Sequence, residues 1–222
     1  MTKTIKIKEI FSSIQGEGPY VGEFQTFVLS TRCNLSCKYC DTDFSFDENS
    51  KEYTFDEFFR VLENEKAKVL SLTGGEPLLE ADFYAEFLKN YKQKLDKKIY
   101  LETNGTLFDE LKKVIDFVDV ISMDVKLKSA CAQEIPLDVF DKFLSVATKK
   151  EAFIKVVFDE NISQKEIDDI SNLSKKYSVL LVLQPKMPMS KDFEFNEIYE
   201  KFFQNYKNIR LIPQVHKFLN VR

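Results

Sequence analysis

Three cysteines stand close together in the first part of the chain, within the segment CNLSCKYC that runs from Cys33 through Cys37 to Cys40. Cysteine thiolates at such short spacing are metal ligands. No fourth cysteine follows at cluster spacing. Three thiolates hold three irons of a cubane [4Fe–4S] cluster and leave one iron open, whereas a closed electron-transfer cluster uses four. Because an open position is typical of catalytic metal sites, the triplet predicts a catalytic iron–sulfur cluster.

Structural zinc is the main alternative for this triplet. Such a site needs a fourth cysteine or histidine ligand. The only histidine is His216 and the one remaining cysteine is Cys131, and either could fold back onto the triplet. A disulfide is a weaker alternative, because it would close a very short loop and leave an odd thiol. The sequence favours the cluster and leaves zinc open.

The CxxxCxxC spacing resembles that of the radical S-adenosylmethionine (SAM) enzymes. The resemblance implies that SAM chelates the open iron and is cleaved to a 5′-deoxyadenosyl radical. Tyr39, the aromatic residue before the last cysteine, would shield the cluster and pack on the adenine. Because the cofactor supplies the radical chemistry, no side chain is predicted to be catalytic. The protein has to position the reactants and exclude water.

Composition and charge limit the other classes of function. Of 222 residues, 44% are hydrophobic and 31% charged, as in globular proteins. The net charge of −4 gives no basic footprint, so we expect no nucleic-acid partner. The sequence has no apolar run of about eighteen residues and no signal-peptide pattern, so we expect no membrane association and a cytoplasmic location. Residues 1–222 are predicted to form a single radical-SAM core domain with the iron–sulfur loop at 33–40.

The pattern of apolar residues predicts alternating strands and helices. The predicted strands are Ile5–Phe11, Gln25–Ser30, Val69–Thr73, Ile99–Glu102, Val118–Met123, Phe153–Phe158, Val179–Gln184 and Ile209–Ile212. The predicted helices are Thr54–Lys66, Asp82–Leu95, Leu107–Phe117, Leu137–Ala147, Gln164–Tyr177 and Lys191–Asn205. Alternating βα units form a mostly parallel sheet with the site at the C-terminal strand ends. About six units are too few for a closed barrel of eight, so we predict an α/β fold with an open, partial β/α barrel, which resembles the radical-SAM core.

A glycine pair follows one of these strands, in the segment TGGEP that starts at Thr73. Glycines allow close approach of the backbone to a ligand, although a plain strand-to-helix turn has the same composition. The segment resembles the GGEP motif of radical SAM enzymes. The resemblance implies that Gly74, Gly75 and Glu76 bind SAM, with the Glu76 charge suited to its amino group.

Polar residues also follow the later strands. The segment ETNGT, from Glu102 to Thr106, is a turn signal that resembles a family motif near SAM and substrate. The next strands lead into SMDVK, to Lys155, and to Gln184 before Pro185. Each could be ordinary loop chemistry, but all lie where a site is expected. The predicted SAM contacts here are Asn104, Ser122, Asp124, Lys126 and Gln184.

Several further segments narrow the resemblance. IQGEGP precedes the cysteines, CDT closes the triplet, and LQP and PQVHK follow near the end. With TGGEP and ETNGT, they appear in the order found in the 7-carboxy-7-deazaguanine synthase family, which the chain resembles nearly end to end. That family converts 6-carboxy-5,6,7,8-tetrahydropterin to 7-carboxy-7-deazaguanine in queuosine precursor biosynthesis, with loss of ammonia. SAM would act as a true cofactor, regenerated at each turnover.

The family resemblance also implies substrate and metal contacts. A magnesium ion would be held by Thr42 of CDT, whose hydroxyl is a suitable hard ligand, although an N-cap or turn role is the alternative. The predicted substrate contacts are Ile14, Gln15, Gly16, Glu17, Arg32, Thr73 and His216. In this set Gln15 would pair with the edge of the heterocycle and Glu17 would accept from the pterin amine.

The chain departs from the family pattern before the first cysteine. The family usually has an arginine at the position of Leu29, where it clamps the substrate carboxylate, and a glycine at the position of Arg32. Arg32 could supply the missing guanidinium. Tyr39 replaces a frequent tryptophan, and both offer an aromatic face. Cys131 has no predicted role beyond that of a buried thiol.

Two other functions remain as alternatives. A radical SAM activase of a glycyl-radical enzyme shares the triplet and the glycine turn but lacks the IQGEGP and PQVHK segments. A non-catalytic Fe–S or zinc-binding module would not cleave SAM. By resemblance, we expect a flavodoxin or ferredoxin as electron donor and a homodimer as the assembly.

Overall fold

The structure is a computed structural model, and it describes residues 3–40, 50–187 and 193–221. Its strands are β1 (Thr4–Ile14), β2 (Phe24–Ser30), β3 (Lys51–Thr54), β4 (Val69–Gly74), β5 (Lys98–Thr103), β6 (Val120–Val125), β7 (Glu151–Phe158), β8 (Leu180–Pro185) and β9 (Ile209–Leu211). Its helices are α1 (Phe55–Glu63), α2 (Ala81–Lys94), α3 (Phe108–Val114), α4 (Lys128–Cys131), α5 (Leu137–Ala147), α6 (Gln164–Tyr177), α7 (Phe195–Asn205) and α8 (Val215–Leu219).

All nine strands of the described residues form one sheet in the order β3-β1-β2-β4-β5-β6-β7-β8-β9. From β2 to β9 each neighbouring pair is parallel. The first strand, β1, pairs antiparallel with both β2 and β3 at one edge. The sheet does not close into a barrel, which confirms the prediction of an open, mostly parallel α/β fold.

The two faces of the sheet have different environments because side chains alternate along each strand. One face packs against the helices and forms the main core, which includes Leu70, Leu101, Ile154 and Leu183. The other face carries a smaller apolar cluster near the N-terminal strand ends: Val69, Tyr100, Val120, Phe153 and Val182. Further along the same face the side chains become polar. This change of character places a polar surface at the C-terminal edge of the sheet.

Local sequence signals explain where two helices begin. Thr54 and Glu57 form a reciprocal capping box at the start of α1, and Ser163 and Glu166 form another at α6. These pairs satisfy backbone N–H groups that have no partner within the helix. Both segments carry the Ser/Thr-x-x-Glu pattern that is typical of such a capping box.

The structure differs from the predicted elements at their ends and in three short elements that were not predicted, β3, α4 and α8. All eight predicted strands are present, but β1 extends to Ile14. The short β3 was not predicted, because Lys51–Thr54 has no apolar run and pairs only at the sheet edge. The predicted helix Leu107–Phe117 is an α-helix followed by a 3-10 turn at Ile115–Phe117. Among the described residues, no helix has the length and apolar character needed to cross a membrane.

Candidate active site

A cavity of about 410 Å³ opens at the C-terminal edge of the parallel strands. Strand register explains which side chains reach it. Glu102 lies beside Ser122 on the next strand, Asp124 beside Lys155, and Val157 beside Gln184. Sequence-predicted residues that line the cavity are Ile14, Gln15, Gly16, Glu17, Cys33, Cys37, Tyr39, Cys40, Thr73, Gly74, Gly75, Asn104, Asp124, Lys126, Gln184 and His216. The fold therefore gathers most of the predicted site in one place.

The cysteine triplet lies on one wall of this cavity. The Cys33 thiol accepts a hydrogen bond from the backbone N–H of Leu35 at 3.4 Å and lies 3.8 Å from the side-chain amide of Asn104. Asn104 also donates to Asn34 at 2.8 Å, which ties the ETNGT turn to the cysteine loop. Among the described residues, no three or more Cys, His, Asp or Glu side chains are grouped closely enough to hold a single metal ion.

Cys131 lies directly beside the triplet, so the folding back that the sequence left open does occur for this residue. Hydrogen bonding between the Cys37 and Cys131 thiols raises the pKa of Cys37 and lowers that of Cys131. The backbone N–H of Lys38 donates to the Cys131 carbonyl at 3.1 Å. Cys131 is fully buried under the loop, whereas the three other cysteines line the cavity. Helix α4 thus supports the cysteine loop from below.

The TGGEP turn is shaped by a backbone conformation that favours glycine. Gly74 has a φ of +94°, and a Cβ there would lie 2.6 Å from the backbone nitrogen of Ser30. The close approach is fixed on both sides, because the N–H of Gly75 donates to the Ser30 carbonyl at 3.3 Å and that of Glu76 to the Arg32 carbonyl at 2.8 Å. The turn therefore lies against the segment that leads into the first cysteine.

Glu76 does not line the cavity and is fully buried behind it. Its carboxylate accepts from the backbone N–H of Leu78 at 3.0 Å, the hydroxyl of Thr103 at 2.9 Å and the backbone N–H of Asn104 at 2.8 Å. Burial raises the pKa of Glu76 to about 7, against the opposing effect of these hydrogen bonds. In this structure Glu76 joins the TGGEP turn to the ETNGT turn, and its predicted contact with SAM remains a prediction.

Asp124 and Lys126 form an ion pair at the end of β6, with a distance of 2.8 Å from Nζ to Oδ2. The Lys126 ammonium also lies 5.2 Å from the centre of the Tyr39 ring. Burial alone would lower the pKa of Lys126, but the Asp124 charge raises it above its usual range. Asp124 Oδ1 and Gln184 Oε1 are buried and have no hydrogen-bond partner among the described residues. These two acceptors on the cavity wall suit the N–H and O–H donors of a bound molecule.

The IQGEG segment enters the cavity between β1 and β2 and is held by paired side chains. Gln15 donates to Glu102 at 2.8 Å and accepts from the backbone N–H of Glu17 at 3.0 Å. Thr73 donates to the other oxygen of Glu102 at 3.0 Å. Burial raises the pKa of Glu102. Glu102 is thus the link between two predicted substrate residues, although it was not itself predicted to contact the substrate.

Glu17 meets residues from two distant parts of the chain. Its Oε2 pairs with Lys155 of β7, and its Oε1 accepts from the side-chain amide of Gln214 at 2.7 Å. Burial would raise the pKa of Glu17, but the charge and hydrogen bond of Lys155 lower it to about 2. At neutral pH this carboxylate is therefore ionised inside the cavity.

The segment that carries His216 closes the cavity on the same side. The N–H of Val215 donates to the Gly16 carbonyl at 2.9 Å. A Cβ at Gly16 would lie 2.3 Å from Nδ1 of His216, so only glycine allows this contact. The structure therefore brings the IQGEG and PQVHK segments together, which sequence spacing could not establish.

Three predicted site residues belong to the described part of the chain but do not line the cavity. A fourth predicted residue lies outside the described part of the chain. Arg32 points outward and pairs with Glu80 at 2.6 Å, so its guanidinium does not replace an arginine at Leu29. Ser122 and Glu76 are buried and do not line the cavity. Thr42 lies outside the described residues. Lining residues that were assigned no ligand contact include Glu102, Lys155, Lys186 and Gln214. The first two stand among the polar residues of the predicted strand ends, where the sequence already predicted a site.

Comparison with known proteins agrees with this geometry. Residues 27–129 match the family model described as the radical SAM superfamily. The open parallel sheet and the cysteine-lined cavity at its C-terminal edge fit that class, so the chain is a radical SAM enzyme. The 7-carboxy-7-deazaguanine synthase of Geobacter sulfurreducens is 31% identical over 96% of each chain. That of Archaeoglobus fulgidus is 32% identical, over 96% of this chain and 97% of its own.

The chain therefore belongs to the 7-carboxy-7-deazaguanine synthase family. The crystal structure of QueE from Escherichia coli has the same fold, with a TM-score of 0.65 and 19% identity over 96% of this chain and 95% of the other. As a radical SAM enzyme, the chain uses a [4Fe–4S] cluster and SAM and acts on a small molecule. The residues present fit both cofactors, because three thiols line one wall and two acceptors without a partner in the described part of the chain line another.

Proposed function

We propose that this chain converts 6-carboxy-5,6,7,8-tetrahydropterin to 7-carboxy-7-deazaguanine by radical ring contraction with loss of ammonia. The observation that carries the proposal is the shared cavity, in which the cysteine triplet and the Gly74 turn face the paired segments of Glu17 and His216. The relatives that match almost the whole chain bear the name of this activity. Loss of ammonia balances the reaction, so no net oxidant or reductant is consumed.

In this proposal the cavity has a cofactor side and a substrate side. Cys33, Cys37 and Cys40 hold the cluster, which together with SAM supplies the radical that starts the reaction. On the cofactor side, Tyr39, Gly74, Gly75, Asn104, Asp124, Lys126 and Gln184 contact SAM, while Glu76 and Ser122 support them from behind. By enclosing the reactants, these groups would keep water away from the radical.

The substrate side is built around Glu17. A pterin has an amino group and a ring N–H on one edge, and the ionised Glu17 carboxylate accepts hydrogen bonds from such donors. Ile14, Gln15, Gly16, Thr73 and His216 enclose this part of the cavity. The proposal assigns no contact to the Arg32 guanidinium, because Arg32 pairs with Glu80 outside the cavity.

Further components follow from the same proposal. A magnesium ion held by the Thr42 hydroxyl would complete the site, since Mg²⁺ prefers oxygen ligands and often binds substrate oxygens. A flavodoxin or ferredoxin would supply the electron, and two copies of the chain would form a homodimer. We also infer that residues 1–222 form a single radical-SAM core domain. A cytoplasmic location suits thiolates that must stay reduced.

Anaerobic turnover tests the proposed reaction directly. The reconstituted protein is incubated with SAM, reductant, Mg²⁺ and 6-carboxytetrahydropterin, and the products are identified by mass. We expect 7-carboxy-7-deazaguanine without net consumption of SAM, and no product from the Cys37→Ala variant. Cleavage of SAM without the deazaguanine would reject this substrate and retain the radical SAM class. The glycyl-radical activase alternative would be supported by turnover that needs a protein partner.

A further inference from the structure

Among the described residues, Lys155 is the most enclosed cation that lines the cavity, with only 5% of its side chain exposed. It extends from the middle of β7 and lies beside Asp124 of β6 in the register of the sheet. No motif marks it, because it stands alone in the apolar run AFIKVVF. A buried ammonium is costly unless it is paired and hydrogen-bonded, so its partners indicate what it does.

Its main partner is Glu17, from the loop after β1. The Lys155 ammonium is hydrogen-bonded to Oε2 of Glu17, while Oε1 accepts from Gln214 at 2.7 Å. An ionised carboxylate has about four lone-pair sites on its two oxygens. Two of them are directed to these partners and a third to the side chain of Gln184, which leaves acceptor capacity on a carboxylate whose orientation is fixed from three sides.

The second partner of Lys155 is Asp124, but the contact is weaker. Asp124 Oδ2 lies 3.6 Å from the Lys155 ammonium and 2.8 Å from that of Lys126. The shorter ion pair with Lys126 is therefore sufficient to hold the Asp124 carboxylate in place. Each lysine therefore holds a different carboxylate in place: Lys155 holds that of Glu17, and Lys126 holds that of Asp124.

We propose that Lys155 is a positioning residue for the substrate: it holds the Glu17 carboxylate in the orientation that accepts hydrogen bonds from the pterin, and acts on substrate binding only through Glu17. The inference rests on the proposed function, because it takes the pterin as the ligand of Glu17. It goes further by assigning the recognition of that ligand to a pair of residues, one of them outside every sequence motif.

Equilibrium binding without reductant tests this proposal, because turnover cannot begin. The protein is used anaerobically with its cluster reconstituted, and the dissociation constants of SAM and of 6-carboxytetrahydropterin in the presence of SAM are measured by calorimetry. For Lys155→Met we expect the pterin constant to rise at least about tenfold and the SAM constant to change less than about threefold. Lys155→Arg, which keeps the charge, should recover part of the pterin affinity.

Lys126→Met is the matched control, since it removes a buried cation from the neighbouring strand. We expect the opposite pattern there, with SAM binding weakened more than pterin binding. Loss of both affinities in Lys155→Met, with restoration of neither by arginine, would show a merely structural role and overturn the proposal.

A double-mutant cycle tests whether Lys155 acts through Glu17. In a Glu17→Gln background, adding Lys155→Met should leave the pterin constant unchanged within about twofold, because the residue it positions is already altered. The double variant also removes both buried charges, so it should fold even where Lys155→Met does not. Additive losses would mean that Lys155 contacts the substrate itself and would overturn the proposal. If the wild-type protein binds SAM but no pterin, the proposed function fails first.

Discussion

Gly16 and His216 lie so close together that a methyl group on Gly16 would be 2.3 Å from Nδ1 of the histidine. The contact joins the loop after β1 to helix α8. It also brings the Glu17 carboxylate within reach of the Gln214 amide, at 2.7 Å. The substrate side of the cavity is therefore closed by direct packing between two segments that are remote in the sequence.

Gly16→Ala should separate these segments. Overpacking of this kind costs about 1–3 kcal/mol, and here the His216 ring and Cβ have to move. We expect a lower free energy of unfolding and weaker pterin binding, measured by denaturation and calorimetry. A second change, His216→Gly, removes the groups that the new methyl would meet and should recover part of the stability. Equal stability of Gly16→Ala and the wild type would contradict the contact.

Gly74→Ala should damage the cofactor side. The residue combines a φ of +94° with a Cβ position 2.6 Å from the Ser30 nitrogen. Gly22→Ala is a matched control, because Gly22 has a φ of +92° but nothing within 4 Å of its Cβ position. Both variants carry backbone strain of about 1–2 kcal/mol, and only Gly74→Ala adds a clash. We expect it to be the less stable variant in denaturation and to lose SAM affinity.

Glu76→Gln should loosen the junction between the TGGEP and ETNGT turns. An amide in place of the carboxylate leaves one of three donors facing an NH₂ group, at a cost of about 1–3 kcal/mol. Glu80→Gln is the control, since Glu80 pairs with the exposed Arg32 guanidinium, where an ion pair contributes about 0–1 kcal/mol. Urea denaturation of both variants checks the ranking, and a larger loss for Glu80→Gln would refute it.

We expect three of the four cysteines to be ligands of the iron–sulfur cluster and the fourth, Cys131, only to lie beside them. Alanine at Cys33, Cys37 or Cys40 is expected to abolish the iron content and visible absorbance of the anaerobically reconstituted protein. Alanine at Cys131 should leave both largely intact, because Cys131 lies under the loop and does not line the cavity. Loss of iron from the Cys131 variant would make it a fourth ligand and remove the open coordination position.

Stability in acid should depend on Glu17. Its pKa is about 2 in the folded protein, against 4.5 for the unperturbed group, because Lys155 favours the ionised form. The resulting stabilisation is present above the unfolded pKa and is lost as the pH falls through 4.5 towards 2. A shift of this size corresponds to about 3 kcal/mol. Denaturation of the wild type and Glu17→Gln between pH 6 and 2 should show a shallower decline for the variant; parallel curves would contradict the ion pair.

The fold was largely predictable because its signals are local. Apolar runs such as VLSL before Thr73 mark buried parallel strands, and the capping pair at Thr54 marks a helix start. Edge strand β3 was missed because an exposed edge needs no apolar pattern. The prediction also joined Ile115–Phe117 to α3, since one-turn differences in helix geometry have no periodic signature.

The site was predictable where motifs carry it and not where tertiary pairing does. The cysteine triplet and the glycine turn were found from their spacing. The contact between Cys131 and Cys37 could not be predicted from the sequence, because it depends on where α4 packs. The same holds for Lys155 and Gln214, which reach Glu17 only through the order of strands in the sheet.

The contact between Glu17 and Gln214 determines when the substrate pocket can form during translation of the chain. These residues are 197 positions apart, so the pocket for the substrate cannot assemble until the ribosome has released nearly all of that intervening length. The cysteines and the glycine turn emerge much earlier, along with the strands that carry them. A nascent chain thus contains the residues for its inorganic cofactor well before it can enclose a pterin. A premature stop before codon 214 would give a chain that has the cysteine triplet but no complete pterin pocket.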